Sequence, residues 1–100
     1  MADQPRYRLK HPVTLKFRQA GGEEREESIT ELTLRRPTAK DLRMVDDYGT
    51  RIIAMTIALV SSLSELDVEV IERIDAEDFG ELAEIVGGFL PDGPMTGATA

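Results

Sequence analysis

The chain has 100 residues, of which 41% are hydrophobic and 31% charged, and its formal net charge is −7. This length fits one folded domain, and the absence of cysteine excludes disulfides, thiolate catalysis and cysteine-containing metal sites. The longest apolar stretch, Ile52 to Val60, is much shorter than the roughly 20 residues that span a bilayer. We therefore expect a soluble protein without a signal peptide or a membrane partner.

The charge is distributed unevenly. Residues 1–63 carry 11 basic and 9 acidic side chains, a net charge of +2, whereas residues 64–100 carry 1 basic and 10 acidic side chains, a net charge of −9. A phosphate backbone would repel this acidic part. Near the basic N-terminal segment, the aromatic residues Tyr7 and Phe17 alternate onto the face opposite to its cations. We expect no nucleic-acid partner, although a small nucleic-acid-binding regulator remains an alternative.

The N-terminal third predicts a β-hairpin. From Tyr7 to Phe17 the odd-numbered positions are mainly apolar and the even-numbered ones polar, which is typical of a strand with one buried face. Pro12 lacks an N–H and indicates an edge strand or two short strands joined at a kink. After a glycine-containing turn, the return strand is expected at 27–35. Its apolar parity shifts between Ile29 and Leu32, which indicates a bulge or a late start of pairing.

The rest of the chain predicts three to four helices. Thr38 and Asp41 form a capping box at the start of the first one, and Asp75 caps the last one with Asp78 at the box position. The helical segments are expected at 39–47, 50–63, 68–73 and from 75 to about 89. The sequence thus predicts an α+β fold, an N-terminal β-hairpin followed by a cluster of three to four helices. We expect one domain over residues 1–90 and a disordered, flexible tail at 91–100.

No group of residues predicts catalysis. His11 is the one histidine, and on an apolar strand face this residue is more typical of a packed or hydrogen-bonded side chain than of a catalyst. The acidic run that begins at Asp75 does not fit the EF-hand pattern, because its fifth and twelfth positions are Phe79 and Val86. We expect no enzyme, no metal site and no cofactor.

The most distinctive segment is LTLRRPTAKDL, from Leu32 to Leu42. With KHPVTL at 10–15 before it and IDAEDF at 74–79 after it, this order and spacing resembles the Mu-like phage tail assembly chaperone family over roughly residues 9–90. The resemblance implies an assembly factor that coats the tape measure protein, the long helical ruler of the phage tail, before tube subunits polymerise. It also implies a protein of the host cell cytoplasm that is absent from the finished virion and is encoded by a phage or prophage.

A structural tail or head-completion subunit is the alternative to a chaperone. Self-association of the chain is a further alternative that stays open.

The second predicted helix is apolar over most of its circumference. Such a helix is either central to a core or has a surface that awaits a partner. Because a tape measure exposes apolar helical stripes, its partner is expected to offer an apolar groove between helices, where methionines are adaptable side chains. The alternative, that all of these residues belong to the core, stays open. The candidate partner-binding residues are Met44, Ile53, Met55, Ile57 and Val60.

Overall fold

The computed structural model describes residues 4–90 and has the predicted α+β architecture. Within this part of the chain, two antiparallel strands precede four helices: β1 (Arg6–Arg18), β2 (Glu24–Thr33), α1 (Ala39–Asp46), α2 (Ile52–Ser64), α3 (Val68–Ile71) and α4 (Ala76–Phe89). None of these helices is both long enough and apolar enough to cross a bilayer. The predicted disordered tail at 91–100 lies outside the described residues, and the division of the chain at residue 90 stays a prediction.

A large bulge interrupts β1. Arg8 pairs with Glu31 and Val13 with Ile29, so four residues of β1 lie opposite a single residue of β2. β1 thus has three more residues than β2 between these two pairs. Because three is an odd number, odd-numbered positions of β1 lie opposite odd-numbered positions of β2 on one side of the bulge and opposite even-numbered positions on the other. This explains the parity shift in the return strand. The predicted bulge is confirmed, and its extra residues, which include Pro12, belong to β1.

The outer end of the hairpin lies outside the core, since every residue from Lys16 to Ser28 is exposed. Gly21 and Gly22 form its turn at φ angles of 100° and 92°, where a side chain would be strained. β2 begins at Glu24, three residues earlier than predicted. There Arg18 forms a cross-strand ion pair with Glu24 at 3.5 Å.

An aliphatic core connects the hairpin to the helices. Its buried members are Leu9, Val13, Leu32, Leu34, Val45, Leu59, Val60, Leu63, Ile71, Ile74, Leu82 and Val86. α2 contributes Leu59, Val60 and Leu63 to this core, and together with the buried Thr56 they follow the spacing of one helical face. Ile52, the first residue of this helix, is 63% exposed and lies outside the core.

An ion pair between half-buried Arg35 and buried Asp41 holds the junction between the hairpin and the helices. Arg35 donates two hydrogen bonds to the Asp41 carboxylate, at 2.9 and 3.2 Å, and the Ser62 hydroxyl donates a third at 2.7 Å. The Thr38 N–H donates a fourth at 2.7 Å as part of the predicted capping box. The Arg35 guanidinium, more than the opposing effect of burial, holds the pKa of Asp41 well below its usual range. Arg35 therefore has a structural role at this junction.

Candidate functional site

The carboxylate of Asp78 connects α4 to the bulge of β1. Its Oδ1 accepts hydrogen bonds from the Tyr7 hydroxyl at 2.7 Å and from the Lys10 N–H at 2.9 Å, and its Oδ2 accepts one from the His11 N–H at 2.9 Å. The bulge takes these N–H groups out of the strand ladder, and the completely buried Asp78 supplies their acceptors. Burial raises the pKa of Asp78, but the three hydrogen bonds outweigh this effect and leave the pKa below its usual value.

At the start of α4, Asp75 caps the helix as predicted, whereas the carboxylate of Asp78 contacts β1. The Asp75 carboxylate accepts a hydrogen bond from the Glu77 N–H at 3.0 Å, which confirms the predicted N-cap. Asp78, predicted at the box position, has its carboxylate hydrogen-bonded to β1. The sequence pattern could not reveal this long-range contact, because helix-start carboxylates usually have local partners.

An exposed cluster of charges lies beside this contact. His11 Nε2 is 3.0 Å from Glu77 Oε1 and 3.7 Å from Asp75 Oδ2. Both carboxylates raise the pKa of His11, and the hydrogen bond to Glu77 has the larger effect. Lys10 Nζ lies 2.8 Å from Glu81 and 3.3 Å from Glu77. The ligand atoms of His11, Asp75 and Glu77 all lie within 4.8 Å of one another, a spacing that a metal ion requires. Mutual ion pairing already accounts for this arrangement.

An apolar groove lies between α2, α3 and the start of α4. It has a volume of about 200 Å³, and its lining residues are Ile53, Ile57, Ile71, Glu72, Ile74, Ala76 and Phe79. We call it the isoleucine groove. Ile71 and Ile74 are buried, whereas Ile53 is 64% exposed. Ile52, beside Ile53 in the sequence, is exposed to a similar extent, so the first turn of α2 presents apolar surface to solvent.

The candidate partner-binding residues fall into three environments. Ile53 and Ile57 line the isoleucine groove. Met44 and Met55 are half-buried and pack against the core. Val60 is completely buried, so it is a core residue in this structure and forms no part of a surface.

Sequence reasoning did not identify the other side of the groove. Ile71 and Ile74 belong to the core and Phe79 packs against it, and all three also border the groove. No sequence signal distinguishes these two roles, because a residue at the edge of a core has the same periodicity as one at its centre.

A second hollow lies between the hairpin and α3 and has a different character. Its volume is about 310 Å³, and four of its seven lining residues are charged: Lys16, Asp67, Glu69 and Arg73. In the isoleucine groove six of the seven lining residues are apolar. Since apolar lining favours a protein or peptide side chain over water, the isoleucine groove is the better candidate for binding.

The sequence of the chain matches a known protein family over most of its length. A model of the family described as "Phage tail assembly chaperone proteins, E, or 41 or 14" matches residues 7–91. The match includes the Arg35–Asp41 junction, the Asp78 contact with β1 and the whole isoleucine groove. No curated protein and no solved structure matches the chain.

Proposed function

The chain belongs to the phage tail assembly chaperone family, and on that premise we propose that it binds the tape measure protein during tail assembly. It keeps this long helical protein soluble in the host cell cytoplasm until tube subunits cover it, and it acts by binding rather than by catalysis. The observation that carries the proposal is the isoleucine groove, an apolar surface between helices beside an exposed helix start.

The chemistry of the groove suits an apolar stripe of a client helix. A helix binds in a groove by inserting side chains spaced three or four residues apart, and their affinity comes from apolar area removed from water. Ile52 and Ile53 are 63% and 64% exposed. Covering a side chain of this size contributes roughly 1.5–3 kcal/mol when its burial is complete. These two residues therefore offer exposed apolar area, at the groove and beside it, that a client helix can remove from water.

The walls of the groove are held in place before a client arrives. The Asp78 contact with β1 fixes the start of α4, and the Arg35–Asp41–Ser62 hydrogen bonds fix α2 to the hairpin and α1. A surface that is already ordered loses less conformational entropy on binding. The buried polar network thus supports binding although it touches no client.

Co-expression with the tape measure gene of the same phage tests the proposal. We expect the tape measure protein to appear in the soluble fraction and to co-purify with this chain. Ile53→Glu should abolish this capture, whereas Phe17→Glu should retain it, because Phe17 is also an exposed apolar residue but lies on the hairpin. A tape measure protein that is equally insoluble with and without the wild-type chain contradicts the proposal.

Two alternatives give different results. A structural tail or head-completion subunit would be detected by antibody in purified virions, whereas an assembly chaperone would be absent from them. A nucleic-acid-binding regulator would shift DNA or RNA in a gel, and this shift would weaken steeply with salt.

A further inference from the structure

Glu72 differs in charge from the other residues that line the isoleucine groove. It is the one charged side chain among the described residues that line the groove, and it is exposed. It takes part in no salt bridge within residues 4–90. A carboxylate beside an apolar groove, with no cation of its own chain in contact, attracts a cation from the molecule that fills the groove.

The surroundings of Glu72 reinforce this attraction. Residues 64–90 carry nine acidic side chains and one basic side chain, Arg73. Arg73 and Glu69 line the other hollow, and neither is among the residues that line the isoleucine groove. The Lys10 ammonium is bound to Glu77 and Glu81. The segment that carries Glu72 therefore has an excess of negative charge, which adds to its attraction for a cation.

We propose that the segment bound in the isoleucine groove is an amphipathic helix with a lysine or arginine placed opposite Glu72. This inference rests on the proposed function, since it specifies the chemistry of the client at the same groove. The apolar stripe of the helix covers Ile53 and Ile57, and the cation at its border pairs with Glu72. A second copy of this chain fits less well, because both copies carry a formal net charge of −7.

Two synthetic helical peptides test the inference with the full, folded chain. They share one apolar stripe and differ only at its border, where one has lysines and the other has glutamates. Fluorescence anisotropy should show the lysine peptide binding about tenfold more tightly at low salt, with a smaller ratio at high salt. Glu72→Gln should reduce this ratio about threefold, and Glu72→Lys should eliminate it.

Glu69→Gln is the matched control, because Glu69 lies in α3, three residues before Glu72, and lines the other hollow, so the variant removes the same charge away from the groove. The inference is overturned if the two peptides bind equally well, or if Glu69→Gln reduces the ratio as much as Glu72→Gln does. It is also overturned if sedimentation shows a wild-type dimer that Ile53→Glu dissociates, since a second copy then occupies the groove. Failure of the proposed function is distinct: the tape measure protein stays insoluble in co-expression, whatever the peptide ratio.

Discussion

The hydroxyl of Tyr7 donates a 2.7 Å hydrogen bond to the carboxylate of Asp78, a residue 71 positions later in the chain. The same carboxylate accepts the N–H groups of Lys10 and His11, so the bulge of β1 and the start of α4 form one unit. The next residue, Phe79, lines the isoleucine groove. A polar contact centred on the buried Asp78 therefore positions one wall of the candidate site.

Removal of the Asp78 carboxylate should destabilise the fold. Asp78→Ala leaves three hydrogen-bond donors of β1 without their acceptor, and we expect the free energy of unfolding to fall by about 2–4 kcal/mol. Urea denaturation followed by circular dichroism measures this loss. Glu84→Ala, at an exposed position of α4, should change stability by no more than about 0.5 kcal/mol. Equal stability of the two variants would show that the contact does not hold α4.

The His11 imidazole should titrate above its ordinary pKa. It is the one histidine of the chain, so its NMR signal is unambiguous. Because Glu77 and then Asp75 favour the protonated ring, its pKa lies above the unfolded value of about 6.5. The contact thus stabilises the fold fully below about pH 6.5, and this contribution is lost as the pH rises through the folded pKa. Glu77→Gln should lower the pKa, whereas Glu84→Gln should not; a wild-type pKa at or below 6.5 would contradict the geometry.

The C-terminal cap of α2 offers a stabilising substitution. Glu65 has a left-handed conformation, with φ 62° and ψ 32°, which is costly for a residue with a Cβ atom. Glu65→Gly should raise the free energy of unfolding by about 0.5–1 kcal/mol despite the greater freedom of the unfolded chain. Its contact with Arg35, 4.0 Å away and exposed, contributes little. Glu65→Ala also removes the charge but keeps the Cβ atom, so thermal melting should show no comparable gain for it.

Local patterns predicted most of the fold, and long-range contacts account for what they missed. Alternation located β1, and the capping box at Thr38 and Asp41 located α1. The pairing of Asp41 with Arg35 and the burial of Asp78 against β1 were not predictable, because each depends on where distant elements meet.

Of the candidate residues on α2, the sequence pattern could not separate those at the groove from those in the core. Ile53 and Ile57 followed from the apolar circumference of α2, and they line the groove. Val60 satisfies the same pattern but is completely buried. Helical periodicity gives the direction of a side chain, whereas the elements packed against it decide its exposure.

A charge at Ile57 should weaken capture of the tape measure protein more than it lowers the melting temperature. Ile57 is half-buried at the groove, so Ile57→Glu can place its carboxylate towards solvent while it disrupts the apolar contact with a client. Co-purification and thermal melting of the same preparation measure the two effects. Should Ile57→Glu be unfolded, Ile57 is a core residue, and Ile53→Glu at a 64% exposed position gives the decisive comparison.

Site-specific photo-crosslinking tests most directly whether the tape measure protein occupies the isoleucine groove. A benzophenone amino acid placed at position 53 probes the groove, and the same amino acid at position 17 probes an exposed apolar position on the hairpin. After illumination of cells that co-express both proteins, we predict a covalent adduct with the tape measure protein from position 53 and none from position 17. An adduct from position 17 alone, or equal adducts from both positions, would contradict binding at the groove.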